Sequence, residues 1–327
     1  MVVSMVACDP STMNQDKAKG TQTPSLSPWE EELDQIHQIN VTPGTKDLVV
    51  NGQTEYKIVI PENPADKETT FGASELSNFL LQSTGADFEI ISDKDLSYDA
   101  NSKYISFGDT NLIEKAGITV DKKMLTRSGF TIQNKGNSVF LIGGGDFGTL
   151  YAAYEFLKHE INWETYTTEE SIFDKVNNLK LHEYDVIDVP DFTYRISTFG
   201  GLASDATTRQ RLRHNNWSGA DAKIWMGPDN VPWHNTFHYL PPAKYQASHP
   251  KWYSTDGKQL CFNARGDEKE AAAMFKAFMD SFINVVMSNP TIDNITITQM
   301  DVNVWCQCEA CHAKYVKYGT DGADIVH

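Results

Sequence analysis

The sequence predicts two consecutive α/β domains: a small α/β sandwich over residues 45–184 and the first half of a (β/α)8 TIM barrel over residues 185–327. Three observations support this fold class. The composition, 40% hydrophobic and 22% charged in 327 residues, is typical of globular proteins with well-filled cores. Short strands joined by tight turns fill the first part. Nearly continuous apolar strands alternate with helices in the second, which indicates a parallel sheet covered on both faces.

Residues 1–44 precede the predicted domains. The run "MVVSMVAC" is apolar and ends in a small residue followed by Cys8. It resembles the end of a bacterial lipoprotein signal, in which the cysteine carries the lipid. We therefore expect lipidation at Cys8, a flexible tether up to residue 44, and a location in the bacterial cell envelope, in the periplasm or at the outer membrane surface.

The first domain begins at "DLVVNGQTEYKIVI", two alternating runs around an Asn-Gly turn that predict a hairpin. A helix is predicted through "FGASELSNFLLQST", with Gly85 as its C-cap. Strands at "DFEIIS", "KYISFG", "GFTIQN" and "SVFLIGG" follow, the last two joined by a tight turn. The pattern then predicts a helix through "DFGTLYAAYEFLKHE".

The glycine-rich stretch before that helix raises the question of nucleotide binding. Gly143, Gly145 and Gly148 meet the dinucleotide-binding pattern only loosely, and the stretch lacks a Gly-Lys-Ser/Thr ending. We interpret these glycines as packing positions between a strand and a helix.

Four strand-and-helix units are predicted after the connector "VIDVPD". Their strands are "FTYRISTF", "AKIWM", "QLCFN" and "NITITQM". The longest helix, "GDEKEAAAMFKAFMDSFINVVMSN", has a capping box from Asp267 to Glu270 and an apolar stripe expected to be buried, at Met274, Phe275, Phe278, Phe282 and Val285. Four such units are half of a barrel that typically needs about 250 residues, so we expect the natural protein to continue beyond residue 327.

Candidate functional residues lie after the predicted strands, where barrel enzymes place their active sites. Asp301 follows the fourth strand, and its carboxylate is the predicted catalytic group, as acid, base or substrate clamp. Asp205 and Asp229 are weaker candidates for the second carboxylate that glycoside hydrolysis usually needs. The predicted substrate-binding residues have aromatic planes or hydrogen-bonding tips: Trp233, His234, His238, His249, Trp252, Asn263, Arg265 and Gln299. Packing of the long loop against the barrel rim is the alternative for the aromatic ones.

The spacing of His234 and His238 is compatible with a zinc site on a helix, but no Glu follows His234 and the segment does not predict a long helix. We favour hydrogen bonding to substrate or a structural role for both histidines.

Four cysteines form a second group of candidates: Cys261, Cys306, Cys308 and Cys311. The Cys-x-Cys-x-x-Cys spacing permits either two disulfides or one closed zinc site. We expect a structural clamp on the loop after the fourth strand, and no cofactor required for activity.

Four motifs in order resemble a bacterial family of domains of unknown function, numbered 4838. They are "GGGDFGTLYAAYEFLKHEINW", "PDFTYRISTFG", "HNTFHYLPPAKYQASHPKWYSTDGKQLCFNA" and "ITQMDVNVWCQCEACHAKY". The resemblance implies a relative of α-glucuronidases and β-hexosaminidases, with a small α/β domain before a catalytic barrel. In such barrels a carboxylate at the end of the fourth strand is catalytic, the place that Asp301 takes. Asp301-Val302 stands where hexosaminidases have an Asp-Glu pair, which speaks against substrate-assisted cleavage of N-acetyl sugars.

The predicted function is therefore glycoside hydrolysis of a polysaccharide or glycan. The net charge of −16 argues against nucleic acid as a partner, because phosphate binding needs Lys and Arg. Contact with a membrane is expected only through the lipid at Cys8. The alternatives are a non-catalytic glycan-binding lipoprotein that uses the same cleft, and a structural zinc protein centred on the cysteines.

Overall fold

The computed structural model describes residues 37–167, 169–192, 195–197, 200–214, 224–225, 234–292 and 294–320. Cys8, Trp233 and Asp229 lie outside the described residues. The chain divides into two compact units, which we call the first unit (residues 1–160 with 175–191) and the second unit (residues 161–174 with 192–327).

The strands and helices of both units have the following bounds. The strands are β1 Gln38–Thr42, β2 Asp47–Val49, β3 Lys57–Ile60, β4 Ile90–Ser92, β5 Tyr104–Phe107, β6 Phe130–Lys135, β7 Ser138–Gly143, β8 Glu164–Thr165, β9 Ser171–Ile172, β10 Leu179–Lys180, β11 Glu183–Asp188, β12 Ile224–Trp225 and β13 Asn294–Ile295. The helices are α1 Lys67–Thr84, α2 Leu112–Lys115, α3 Lys122–Leu125, α4 Asp146–Ile161, α5 Gly200–Ser204, α6 Ala206–Arg211, α7 Thr236–Tyr239, α8 Pro242–Tyr245, α9 Glu268–Ser288 and α10 Glu309–Tyr318.

The first unit is built on a seven-stranded mixed sheet in the order β1-β11-β6-β7-β5-β3-β4. Strands β4, β3, β5 and β7 are parallel, whereas β6, β11 and β1 add antiparallel pairs. All six residues of β7 are buried, as expected for a strand covered on both faces. The structure differs from the predicted domain boundaries at two places. Strand β1 lies inside the predicted tether, and residue 184, the predicted end of the first domain, lies within β11.

Helix α1 confirms the predicted C-cap. Gly85 has φ 76°, a left-handed conformation that glycine adopts without a Cβ penalty, and its N–H donates to the Leu81 carbonyl at 2.8 Å. At the other end, the Asp66 carboxylate accepts from the Thr69 N–H at 2.7 Å. The helix is therefore capped by a hydrogen bond at each end.

The predicted hairpin around Asn51-Gly52 is wrong in its pairing. The turn forms, with both residues at positive φ and reciprocal backbone bonds between Val50 and Gln53. The strands on its two sides then separate, since β2 pairs with β10 and β3 pairs with β4 and β5. Alternating apolar residues fix which face is buried, but they do not choose the partner strand.

The glycine-rich stretch before α4 packs as interpreted. A Cβ on Gly143 would lie 1.9 Å from the Thr149 nitrogen, and one on Gly148 would lie 2.1 Å from the Gly129 carbonyl oxygen. Such distances are below any van der Waals contact, so these positions need glycine to let the backbones approach.

The second unit has little regular strand among its described residues. Strands β12 and β13 pair in parallel, with Ile224 opposite Asn294 and Trp225 opposite Ile295. The predicted strand "QLCFN" is wrong: apart from one bridge between Leu260 and Tyr253, this segment turns into a 3-10 helix at Ala264–Gly266. The described residues of the predicted strand "FTYRISTF", 192 and 195–197, are not in a strand either, and Asp301 lies six residues after the end of β13. The half-barrel as a whole stays a prediction.

Helix α9 packs one side against the second unit. Asp267 caps it by accepting from the Glu270 N–H at 3.1 Å, and Met274 and Phe278 are buried in an apolar cluster with Tyr239. Phe275, expected in the buried stripe, is 66% exposed. Among the described helices, this one alone is long and apolar enough to cross a membrane by length and composition, a test that a helix packed on a protein core also passes.

Candidate functional site

The candidate site lies at the carboxyl ends of the parallel strands β12 and β13. The chain reaches His234 after β12 and runs through residues 296–301 after β13. Both segments therefore meet at the same edge of the strand pair, the position at which parallel α/β folds bind their ligands.

Asn235 joins these two segments. Its amide nitrogen donates to the Thr296 carbonyl at 2.9 Å, and its amide oxygen accepts from the Thr298 N–H at 2.9 Å. Its own N–H donates to the Thr298 carbonyl at 3.0 Å. With 3% of its surface exposed, this one side chain replaces the hydrogen bonds that a neighbouring strand would supply.

Gln259 holds the end of the same segment from another side. Its amide donates to the Met300 carbonyl at 2.9 Å and accepts from the Met300 N–H at 3.2 Å. Gln259 is 4% exposed, so both bonds are formed away from water. The residue before Asp301 is thus fixed through both of its backbone polar groups.

Buried tyrosines support these segments. The Tyr239 hydroxyl donates to the Thr296 carbonyl at 2.7 Å, and the Tyr253 hydroxyl donates to the Leu240 carbonyl at 3.0 Å. Burial raises the pKa of both hydroxyls to about 12, so they stay protonated donors at neutral pH.

Asp301 and His234 form the ionisable pair of the site. The Asp301 carboxylate is 84% exposed, and its Oδ2 lies 3.8 Å from Nε2 of His234. On the other side of the ring, Nδ1 of His234 lies 3.0 Å from the Gln299 carbonyl oxygen. A carbonyl only accepts, so Nδ1 carries the hydrogen and Nε2 of the neutral ring presents its lone pair towards Asp301.

The backbone of His234 adopts φ 59°, which is uncommon for a residue with a Cβ. The next residue, Asn235, is fixed by its three bonds to Thr296 and Thr298. Strained backbone of this kind is frequent where a fold fixes a functional side chain.

Two of the predicted substrate-binding residues, His249 and Trp252, pack against each other. Their rings stack with centroids 4.0 Å apart, and both donate to Oε2 of Glu270, at 3.0 Å and 2.9 Å. Trp252 is 2% exposed. These contacts attach the loop to helix α9. The Glu270 carboxylate accepts from the two rings, and the Asp267 N–H, its partner in the predicted capping box, donates to the Ala264 carbonyl instead. A role in substrate binding stays a prediction for both.

Arg265 and Asn263 also make contacts within the protein. The Arg265 guanidinium donates to the carbonyls of Pro250, Tyr253 and Ser254 at 3.1–3.4 Å. The Asn263 amide donates to Sγ of Cys311 at 3.4 Å. Their predicted contact with sugar is untested.

His238 lies in helix α7 and is partly buried. Among the residues that the structure describes, the cysteine group is the one cluster of three or more side chains that could hold a metal, and neither His234 nor His238 belongs to it. Gln299 and Gln259 line a small pocket with Trp305.

The four cysteines predicted as a clamp do come together. Their sulfurs all lie within 4.8 Å of one another, with Cys261 Sγ 3.8 Å from Cys308 Sγ and 3.7 Å from Cys311 Sγ. Cys261, Cys306 and Cys311 are buried, and all four are free thiols. Hydrogen bonding among the thiols, first with Cys261, lowers the pKa of Cys306 and raises that of Cys311.

Comparison with known families identifies part of the chain. Residues 165–326 match the model of a domain of unknown function, DUF4838. This segment is similar to the DUF4838 family. No curated protein matches the chain.

The solved structures similar to the chain include three glycoside hydrolases. The family GH115 4-O-methyl-α-glucuronidase BtGH115A, with specificity for decorated arabinogalactans, is 18% identical over 34% of this chain and 14% of its own, with a TM-score of 0.26. The GH20 β-N-acetylhexosaminidase from Streptomyces coelicolor A3(2) is 11% identical over 48% of this chain and 26% of its own, with a TM-score of 0.31. CpGH84B is 14% identical over 85% of this chain and 46% of its own, with a TM-score of 0.35. The chain spans less than half the length of each, and likenesses at these TM-scores specify neither a reaction nor a substrate.

Within the DUF4838 segment, three residues that organise the site have no sequence signal of their own. Asn235, Gln259 and Glu270 act through bonds to residues 18–63 positions away. Neither periodicity nor motif spacing reports such contacts. An amide next to a candidate substrate-binding histidine, as in "WHNTFH", is the one local hint, and it points only to Asn235.

Proposed function

We propose that this chain is part of a carbohydrate-active enzyme, a glycoside hydrolase, with Asp301 as its acid/base or substrate-orienting carboxylate. The observation that carries the proposal is the exposed Asp301 carboxylate beside His234, at the carboxyl ends of two parallel strands. The resemblance to a family related to α-glucuronidases and β-hexosaminidases supports a sugar as the substrate.

The chemistry of the pair fits proton transfer. With the Nδ1 hydrogen held by the Gln299 carbonyl, Nε2 of His234 can take a proton and give it back while facing Asp301. A glycosidic oxygen or a water molecule placed between them would lie within reach of two groups that can each accept a proton and, once protonated, donate it.

Glycoside hydrolysis usually uses two carboxylates. Asp205 does not suit that role, because its side chain accepts from the Thr207 and Thr208 N–H groups and caps helix α6. Hydrogen bonding to Thr208 lowers the pKa of Asp205, so it stays ionised as a cap. Asp229 remains the candidate from the sequence.

Replacing Asp301 tests the proposal. The full protein would be assayed on 4-nitrophenyl glycosides of uronic acids and N-acetylhexosamines, and on plant and bacterial polysaccharides by release of reducing ends. Asp301→Asn should lower kcat/KM by about 100- to 10,000-fold, the usual contribution of a positioned acid or base. Asp280→Asn is the matched control, an exposed carboxylate on helix α9 that pairs with Lys276. Equal turnover by both variants would refute the role of Asp301.

Non-catalytic glycan binding is the second candidate. The 84% exposure of Asp301 favours it, because a hydrated carboxylate suits a hydrogen bond to a sugar hydroxyl as well as it suits proton transfer. Wild-type protein that is retarded in polysaccharide gels without releasing any product would support this function over hydrolysis.

We further propose that a lipid at Cys8 anchors the protein in the bacterial envelope. The apolar run before Cys8 supports this. Radiolabelled palmitate should enter the wild-type protein and not Cys8→Ala in a bacterial host.

A further inference from the structure

The cysteine cluster has dimensions that a disulfide framework would not give. A disulfide joins two sulfurs at about 2.05 Å. Cys261 Sγ instead lies at nearly equal distances, 3.8 Å and 3.7 Å, from two other sulfurs, and the four sulfurs all lie within 4.8 Å of one another.

These distances are those of a tetrahedral metal site. Zinc binds thiolate sulfur at about 2.3 Å, and the edge of a tetrahedron is roughly 1.63 times its centre-to-corner distance, so the sulfurs of a four-cysteine zinc site lie about 3.8 Å apart.

Hydrogen-bond donors also point at the sulfurs. The Arg265 N–H lies 3.2 Å from Cys261 Sγ, and the Asn263 amide lies 3.4 Å from Cys311 Sγ. Cys308 precedes helix α10 as its N-cap residue, and Cys311 lies in the first turn, where the helix dipole favours negative charge. Four thiolates and one divalent metal ion together carry a net charge of about −2, and hydrogen-bond donors to the sulfurs stabilise this negative charge.

We propose that Cys261, Cys306, Cys308 and Cys311 hold a structural zinc ion that fixes the Asp301 segment. All four positions are filled by thiolates, so the ion has no open position for substrate or water and acts as a crosslink. It ties the turn at Ala264–Gly266 to the start of helix α10, and so closes a loop that begins at Cys261 and ends at Cys306.

The crosslink reaches Asp301 through Gln259. This residue lies two positions before Cys261 and bonds both backbone polar groups of Met300. Fixing Cys261 therefore fixes the amide that holds the residue before Asp301. The positioning of a functional Asp301 rests on the proposed function, whereas metal binding and the order of Met300 do not.

Metal content of the purified protein tests the site directly. Elemental analysis should find about one zinc ion per wild-type chain, and thiol titration should find the four cluster sulfurs unreactive until a chelator is added. Cobalt substitution should give the visible d–d bands of a tetrahedral thiolate site. Cys306→Ser with Cys308→Ser should lose the metal, whereas Cys8→Ser, at the fifth cysteine, should keep it.

Several results would overturn the proposal. Iron in place of zinc, disulfide-linked peptides in mass spectrometry, or four reactive thiols without metal in wild-type protein would each contradict it. None of these readouts depends on the folding of a variant or on turnover.

Hydrogen exchange tests the link to Met300. Chelation should speed exchange of the Met300 amide, which donates to Gln259, and leave the amides of β6 and β7 unchanged. Unchanged protection of Met300 in metal-free protein would refute the positioning role even where zinc binds.

Discussion

Different interactions stabilise the interior of each of the two units. The first unit has a seven-stranded sheet whose strand β7 is buried along its whole length. The described part of the second unit has two-residue strands, and its candidate site is joined by the side chains of Asn235 and Gln259 and by a cluster of thiols. Backbone ladders and apolar burial thus stabilise one unit, and side-chain to backbone bonds stabilise the site of the other.

This difference matters for function. A ladder fixes strands at regular spacing, whereas single amides can hold an irregular segment such as residues 296–301 at an edge where side chains stay accessible. Each amide carries more of the local structure, so single substitutions should affect the two units differently.

The largest effect is expected in the core of the first unit. Phe140, fully buried in β7, packs with Val59 and Ile142. Phe140→Ala should lower the free energy of unfolding by about 3–5 kcal/mol through lost burial and a cavity. Phe275→Ala, at a 66% exposed position of the second unit, should change it by about 0.5 kcal/mol or less. Urea unfolding followed by circular dichroism measures both, and similar losses would contradict the assignment of the core.

A smaller loss is expected for Asn235. Asn235→Ala removes a donor to the Thr296 carbonyl and the acceptor of the Thr298 N–H. The Thr296 carbonyl keeps the Tyr239 hydroxyl as a donor, so the partly buried Thr298 N–H is the group that loses its partner. Since one such group costs about 1–3 kcal/mol, we expect a loss of roughly that size. Asn101→Ala, at an exposed position of the first unit, is the control.

Hydrogen exchange would localise the effect of Asn235→Ala. We expect faster exchange at the Thr298 amide and unchanged exchange in β5 and β7. An equal change in both units would mean that Asn235 does not act locally.

The sequence predicts the first unit well where local rules govern. The left-handed Gly85 cap, the adjacent strands β6 and β7, and the packing role of Gly143 follow from turn chemistry and periodicity. The hairpin prediction at Asn51-Gly52 is wrong for a physical reason. A tight turn fixes the local chain reversal, whereas strand pairing depends on distant partners such as β10.

The candidate site is predictable only in part. Asp301 and the four cysteines stand out by residue type, position and spacing, and the structure brings the cysteines together. The apolar segment "QLCFN" looks like a buried strand in the sequence. In the structure, its buried residues pack around Cys261 in a turn instead of forming a sheet. Asn235, Gln259 and Glu270 escape detection because their bonds span long sequence separations.

The central claim is that Asp301 and His234 act as one functional pair. A double-mutant cycle on kcat/KM, with the glycoside that wild-type protein cleaves, tests it most directly. Asp301→Asn and His234→Asn are suitable, because asparagine tolerates the left-handed backbone at position 234. Groups that act as a unit are not additive, so each single variant should lose about 100-fold or more and the double variant little beyond the larger loss. Losses that multiply, or a neutral His234→Asn, would contradict the account.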